Sequence, residues 1–217
     1  MRTLYRAGWV LTRLIGATYL PCTYHNAERV PDSGPAILAA NHESFIDPPL
    51  VGGGLSRALN YLARESLFTV PIMGRLLHDV NAVPVDRDGG GAAGLPAILS
   101  RLLDGGAILL FPEGTRTPDG RIHPARSGIG LTVMKSEAPV IPVRIFGTYQ
   151  AWGRHYTLPR PGKVAIKYGH PMDFAALRQE AKTCSKSRLK EIYRQVSDDI
   201  MSAIQGLERF TDRNRFP

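Results

Sequence analysis

Short apolar runs and helically spaced apolar stripes alternate along most of the chain. Residues 36–40, 59–63, 82–85 and 107–111 are apolar runs of strand length, 140–146 is another interrupted by Pro142, and 163–168 alternates between two faces. Helical spacing appears between them. Leu95, Ile98, Leu99 and Leu102 predict a helix over 95–103, residues 129–136 predict another, and residues 71–79 predict a helix or loop. Near the C-terminus, Leu189, Ile192, Val196, Ile200, Ala203, Ile204 and Leu207 form one stripe. Lys190, Glu191, Arg194, Asp198 and Asp199 face away from it, which predicts a docked amphipathic helix. This alternation predicts an α/β fold: a single αβα layered domain whose mostly parallel central sheet is flanked by helices. Residues 31–35 read as a turn, Gly52-Gly53-Gly54 as a flexible interruption of a helix, Gly89-Gly90-Gly91 as the opening of a loop, and 209–217 as a polar tail.

Residues 1–30 form a separate unit in this reading, an N-terminal amphipathic helix and its connector, ahead of the domain at 31–217. Leu4, Tyr5, Trp9, Leu11, Leu14, Ile15, Tyr19 and Leu20 stand among Arg2, Arg6 and Arg13, a mixture suited to lipid headgroups. The competing reading is a docking helix that covers the core. Spanning is disfavoured, because an arginine near the centre of a membrane helix costs about 2.5 to 3.5 kcal/mol. A secretory signal fits poorly, since no small-x-small cleavage site follows.

Composition narrows the function. A length of 217 residues with 43% apolar content supports one sizeable core. A net charge of +8 favours anionic partners: a phosphorylated substrate, an acidic carrier protein, an anionic membrane or nucleic acid. Only Cys22 and Cys184 occur, without metal-ligand spacing, which fits a reducing compartment. No histidine follows His42-Glu43 at the offset of a zinc helix, and neither G-x-S-x-G nor G-x-x-x-x-G-K occurs. Metalloprotease, serine hydrolase and nucleoside triphosphatase chemistry all lack their parts.

Two polar corners follow apolar runs. The first is Asn41-His42-Glu43-Ser44-Phe45-Ile46-Asp47, closed by Pro48-Pro49. His42 and Asp47, five positions apart, meet only if the chain turns between them. The prolines favour that turn and make Asp47 a candidate N-cap. A carboxylate beside an imidazole fixes its tautomer and stabilises the imidazolium formed on proton transfer. With an activated thioester as acyl donor, such a base contributes roughly 10² to 10⁴-fold without a covalent nucleophile. The plainer reading is an Asx cap beside a loop histidine.

The second corner is Pro112-Glu113-Gly114-Thr115-Arg116-Thr117. Gly114 admits close backbone approach, Thr115 offers a hydroxyl and an amide, and Arg116 presents a donor fork matched to phosphate. Glu113 would hold Arg116 or a glycerol hydroxyl, and Arg126 would add positive charge to the same pocket. Arg87 sits at another strand end. The basic and aromatic stretch holding Trp152, Arg154, His155, Tyr156 and Arg160 reads as a covering loop or a contact to lipid or RNA.

With both corners in view, the sequence resembles the glycerolipid acyltransferases typified by bacterial 1-acylglycerol-3-phosphate acyltransferase. Their marks are an N-H-x-x-x-x-D block and an F-P-E-G-T-R-S block. They stand here as NHESFIDP and FPEGTRTP, with VPVDRD between them and Pro139-Val140-Ile141-Pro142-Val143 after them. The resemblance covers roughly residues 30–170, with Thr117 in place of serine and Arg126 where lysine is common. It implies that 31–217 is an acyltransferase domain in which His42 is the general base and Asp47 orients it. It assigns Arg87, Glu113, Gly114, Thr115 and Arg116 to the acceptor's phosphate and glycerol. The implied reaction moves a fatty acyl group from acyl-CoA or an acyl carrier protein to the free hydroxyl of 1-acyl-glycerol-3-phosphate, with no metal and no resident cofactor. The implied place is the cytoplasmic face of a membrane, as a peripheral protein. The same chemistry on another lysolipid or on glycerol 3-phosphate is the near alternative. A basic module for membrane or nucleic acid is the distant one, and the intact polar residues of both corners stand against it.

Overall fold

The computed structural model describes residues 3–85, 94–126 and 128–208. Among them, seven strands form one sheet in the order β1-β7-β6-β2-β5-β3-β4. The strands are β1 (Cys22–His25), β2 (Ala36–Ala40), β3 (Leu59–Arg64), β4 (Ala82–Val85), β5 (Ala107–Leu110), β6 (Val140–Phe146) and β7 (Val164–Tyr168). Strands β2 to β6 run parallel, and β7 with β1 runs the other way. The helices are α1 (Thr3–Thr18), α2 (Asp47–Gly53), α3 (Pro71–Asp79), α4 (Leu95–Leu103), α5 (Gly128–Met134), α6 (Thr148–Trp152), α7 (Ala175–Ala181) and α8 (Lys186–Gly206). The predicted α/β layering stands.

Strand β2 is central and buried along its whole length, which explains why its sequence is a plain apolar run. Successive side chains alternate between faces. Leu38 and Ala40 join a cluster with Leu50, Val51 and Leu109, while Ile37 and Ala39 join Ile108, Ile129, Ile192, Val196 and Ile200. Helices α1 and α2 cover the first face, and α4, α5 and α8 the second. The stripe predicted for α8 is the buried face, with Ser197 and Met201 added to it.

Three expectations change. Pro142 does not break β6. It pairs with Ala39 in the parallel ladder, and on the other side it falls between the end of the β7 ladder at Val143 and the lone bridge from Val140 to Met172, where a missing N–H is tolerated. Gly52-Gly53-Gly54 is not a flexible break. Gly52 and Gly53 are buried in α2, and a Cβ at Gly52 would strike the Tyr61 hydroxyl, at Gly53 it would lie 2.9 Å from the Tyr24 hydroxyl, and at Gly54 it would strike the Tyr24 ring. Close helix-to-tyrosine packing is what selects them. Helix α1, third, docks on one face: Trp9 Nε1 donates to Leu55 O (3.1 Å), Arg13 to Gly53 O (3.2 Å), and the Tyr5 hydroxyl accepts from Leu59 N (2.9 Å). Its other face leaves Val10, Leu11 and Leu14 exposed. No helix among the described residues is long and apolar enough to cross a membrane.

The parallel direction of β2, β3, β5 and β6 puts their C-terminal ends on one edge of the sheet. Both polar corners are there, as open α/β sheets require of a ligand site.

Candidate active site

The first corner is built by β2 handing over to α2. Asn41 continues the β2–β6 ladder with its side chain: Oδ1 accepts from Ile145 N (2.7 Å) and Nδ2 donates to Ile145 O (3.0 Å) and Glu43 Oε1 (3.1 Å). The chain then turns, and Asp47 opens α2 with Pro48 and Pro49 behind it. The N-cap position belongs to Ile46, so the expected cap at Asp47 is displaced by one residue. Its carboxylate reaches back instead of forward. Asp47 Oδ2 accepts from His42 Nδ1 (2.9 Å), Glu43 N (2.6 Å) and Ser44 N (2.7 Å), and the residue is fully buried.

That bond orients the imidazole. With Nδ1–H donated to a buried carboxylate, the lone pair lies on Nε2. The His42 ring also stacks on Phe111, with centroids 3.8 Å apart and planes 15° from parallel. Phe111 begins the second corner, so the imidazole rests on both.

Further bonds lock the corners together. His42 N donates to Glu113 Oε2 (2.8 Å), and His42 O accepts from Thr117 N (2.8 Å). Glu113 Oε1 accepts from His123 N (2.8 Å), so both oxygens of this buried carboxylate are engaged by backbone. Burial raises its pKa against the pull of those amides. Glu113 therefore serves as a brace between corners.

The remaining predicted residues gather nearby, one excepted. Gly114 turns the chain at φ +70°, a conformation that favours glycine, and the Arg126 side chain lies where a Cβ would project, 2.8 Å from it. Thr115 and Gly114 are exposed beside it. The Arg116 guanidinium lies 3.3 Å from the centroid of Phe45, a residue of the first corner. Arg87 lies outside the described residues.

Several contributors escaped the sequence reading. Glu43 is buried, with Oε2 accepting from Thr148 Oγ1 (3.2 Å) and Tyr149 N (3.1 Å), and burial pushes its pKa up to about 7. Ser44 Oγ donates to Trp152 O (2.6 Å). Arg144, whose pKa is lowered by burial, faces the charges of Glu43 and Glu113. Asp119 accepts from His123 Nε2 (2.8 Å), Arg121 N and Thr117 Oγ1, which hold its carboxyl well below the usual range. The basic-aromatic loop lies against the second corner, with Arg154 donating to Arg116 O (3.4 Å) and Tyr149 Oη to Pro118 O (3.0 Å). Their only signal was a polar residue beside a corner; the Thr148 and Trp152 partners of Glu43 and Ser44 lie more than a hundred residues away in sequence.

Fold and site together define an α/β protein with a histidine–aspartate pair set against an arginine-bearing turn. A family model described as Acyltransferase matches residues 21–146, more than half of the chain and both corners. The chain belongs to this acyltransferase family. It is 27% identical over 177 residues to the 1-acyl-sn-glycerol-3-phosphate acyltransferase of Bacillus subtilis (strain 168), covering 77% of this chain and 86% of that one. A protein of the same description from Cocos nucifera is 27% identical over 143 residues, 63% of this chain and 46% of the relative, so the chain spans about half of that relative's length. The crystal structure of the 1-acyl-sn-glycerophosphate (LPA) acyltransferase PlsC from Thermotoga maritima superposes with a TM-score of 0.71 at 24% identity, over 95% of this chain and 81% of that one. The last is a likeness of fold.

Proposed function

We propose that the protein transfers a fatty acyl group from an acyl thioester, acyl-CoA or an acylated carrier protein, to the free sn-2 hydroxyl of 1-acyl-glycerol-3-phosphate. His42 Nε2 takes the hydroxyl proton as the oxygen attacks the thioester carbonyl. A C–O bond forms, the tetrahedral oxyanion collapses, the C–S bond breaks, and the thiolate leaves with the proton from the imidazolium. The products are a diacylglycerol phosphate and a free thiol. Asp47 keeps the ring oriented and its cation stabilised. Arg116 and Arg126, with Arg87 and the turn at Gly114 and Thr115, receive the acceptor's phosphate, while Glu113 sets where that turn sits.

The observation that carries this reading is that His42 is tied to Asp47 through its ring and to the second corner through both backbone groups. The names of the relatives supply the acceptor. In this reading the protein works from the cytoplasmic surface of a membrane as a peripheral enzyme, with the outer face of α1 toward lipid.

The test is free-thiol release with lysophosphatidate, other lysolipids and glycerol 3-phosphate as acceptors, against both donor types. Lysophosphatidate is expected to give the highest kcat/KM. In Arg116→Ala, losing a charge-assisted contact worth about 1.5–3 kcal/mol is expected to raise KM for that acceptor roughly tenfold or more. An unchanged KM would remove Arg116 from the phosphate site.

A further inference from the structure

Helix α3 is nine residues long, too short to persist in water without packing. Yet Gly74 is its one buried residue. Ile72 is 87% exposed, Met73 41% and Leu76 43%, and just before the helix Leu67 is 43% and Val70 51% exposed. A surface helix of a globular protein turns such residues inward. Among the described residues nothing covers them.

The topology says where the segment begins. Strand β3 ends at Arg64, on the edge that bears both corners, and the chain passes from there through residues 65–70 into the first turn of α3. Strand β1 runs opposite to β2, so the end of α1 reaches that same edge, where Tyr19 Oη donates to Pro159 O (2.9 Å). Exposed Phe45 and Leu158 lie there too, at 63% and 75%. Helices α1 and α3 touch on the same face of the sheet, and an open apolar groove lined by Ala7, Val10, Leu11 and Leu14 runs along α1. Arginines outnumber acids on this surface: Arg6, Arg13, Arg64 and Arg75 are exposed against exposed Glu65 and half-buried Asp79, and residues 3–20 contain no acid.

We propose that α3 and the turn before it form a second membrane-insertion element, which lies with α1 in the headgroup region of an anionic lipid surface and sets the catalytic edge against it. An exposed apolar patch fringed by arginines is what such a surface binds, through apolar burial and attraction of anionic headgroups together. The inference rests on the acyl-transfer reading only for its purpose: a lipid hydroxyl would enter the site without leaving the bilayer.

The experiment is co-sedimentation of the full chain with vesicles of phosphatidylcholine containing phosphatidylglycerol, and with phosphatidylcholine alone. Ile72→Glu and Met73→Glu are expected to weaken binding to the anionic vesicles roughly tenfold or more. Their thermal unfolding and their turnover of a short-chain acceptor below its micellar concentration stay at the wild-type level. Leu103→Glu, at a side chain 88% exposed on the opposite edge, is expected to bind like wild type. Vesicle binding retained in the α3 variants overturns the proposal, as does an equal loss in Leu103→Glu. Self-association abolished by Ile72→Glu, with vesicle binding intact, overturns it in favour of a second copy as the cover. A wild type that binds vesicles through α3 but releases no thiol with lysophosphatidate counts against the acyl-transfer reading alone.

Discussion

One carboxylate oxygen, Asp47 Oδ2, holds the imidazole and two amides of the turn that presents it. Orientation of the imidazole and the shape of the corner therefore depend on the same atom. Asp47→Asn places an amide among three donors and sets the wrong tautomer on His42. The expected result is a kcat lower by about 10² to 10⁴-fold and a stability loss of about 1–3 kcal/mol for donors left unpaired, read by steady-state kinetics and urea unfolding. A variant with normal kcat would detach Asp47 from the base.

Glu43 carries the pH signature. Its folded pKa near 7 stands above its ordinary 4.5 because burial penalises the charged form. Between those values the folded chain holds a proton that the unfolded chain releases, so stability falls as pH rises through this window. Above 7 the full cost is present, about 3 kcal/mol at about 1.4 kcal/mol per pH unit. Urea unfolding at pH 5 and pH 8 is expected to show a decline in the wild type that is mostly missing in Glu43→Gln. Parallel profiles would mean that Glu43 ionises in the fold as easily as in water.

At the scale of elements, α2 is set by its glycines. Gly53→Ala forces a methyl group toward Tyr24 and Thr12, 2.9 Å and 3.2 Å from the Cβ position, and overpacking of this kind costs about 1–3 kcal/mol. Adding Tyr24→Phe removes the nearer atom and is expected to recover part of the lost thermal midpoint. An unshifted midpoint in Gly53→Ala would return this stretch to the flexible reading. The glycine run misled the sequence analysis because permissive backbone and close approach select the same residue. The buried strands were legible, since central parallel strands carry apolar side chains on both faces, and β2 and β4 begin and end where the pattern placed them. Strand β1 escaped because Cys22–His25 is four residues long and three are only half-buried. Helices α6 and α7, at five and seven residues, are too short for a periodic signal.

At the scale of the molecule, parallel strand order brings together two corners that lie 71 residues apart at the His42–Glu113 bond. Each corner was legible because its polar residues are contiguous and directly follow an apolar run. The bracing shell was not, since Asn41 finds Ile145 and Glu43 finds Tyr149 more than a hundred residues away, a pairing that only β6 beside β2 produces. The same topology brings the end of α1 and the start of α3 to the edge that bears both corners. The central claim is that His42, held by Asp47 and seated on the second corner, activates the acceptor hydroxyl. Its most direct test is thiol release from acyl-CoA with lysophosphatidate in wild type and His42→Ala, with circular dichroism confirming the fold. Acceptor-dependent release that drops by at least roughly 10²-fold in the variant is the predicted result, and near-normal turnover in a folded His42→Ala would contradict it.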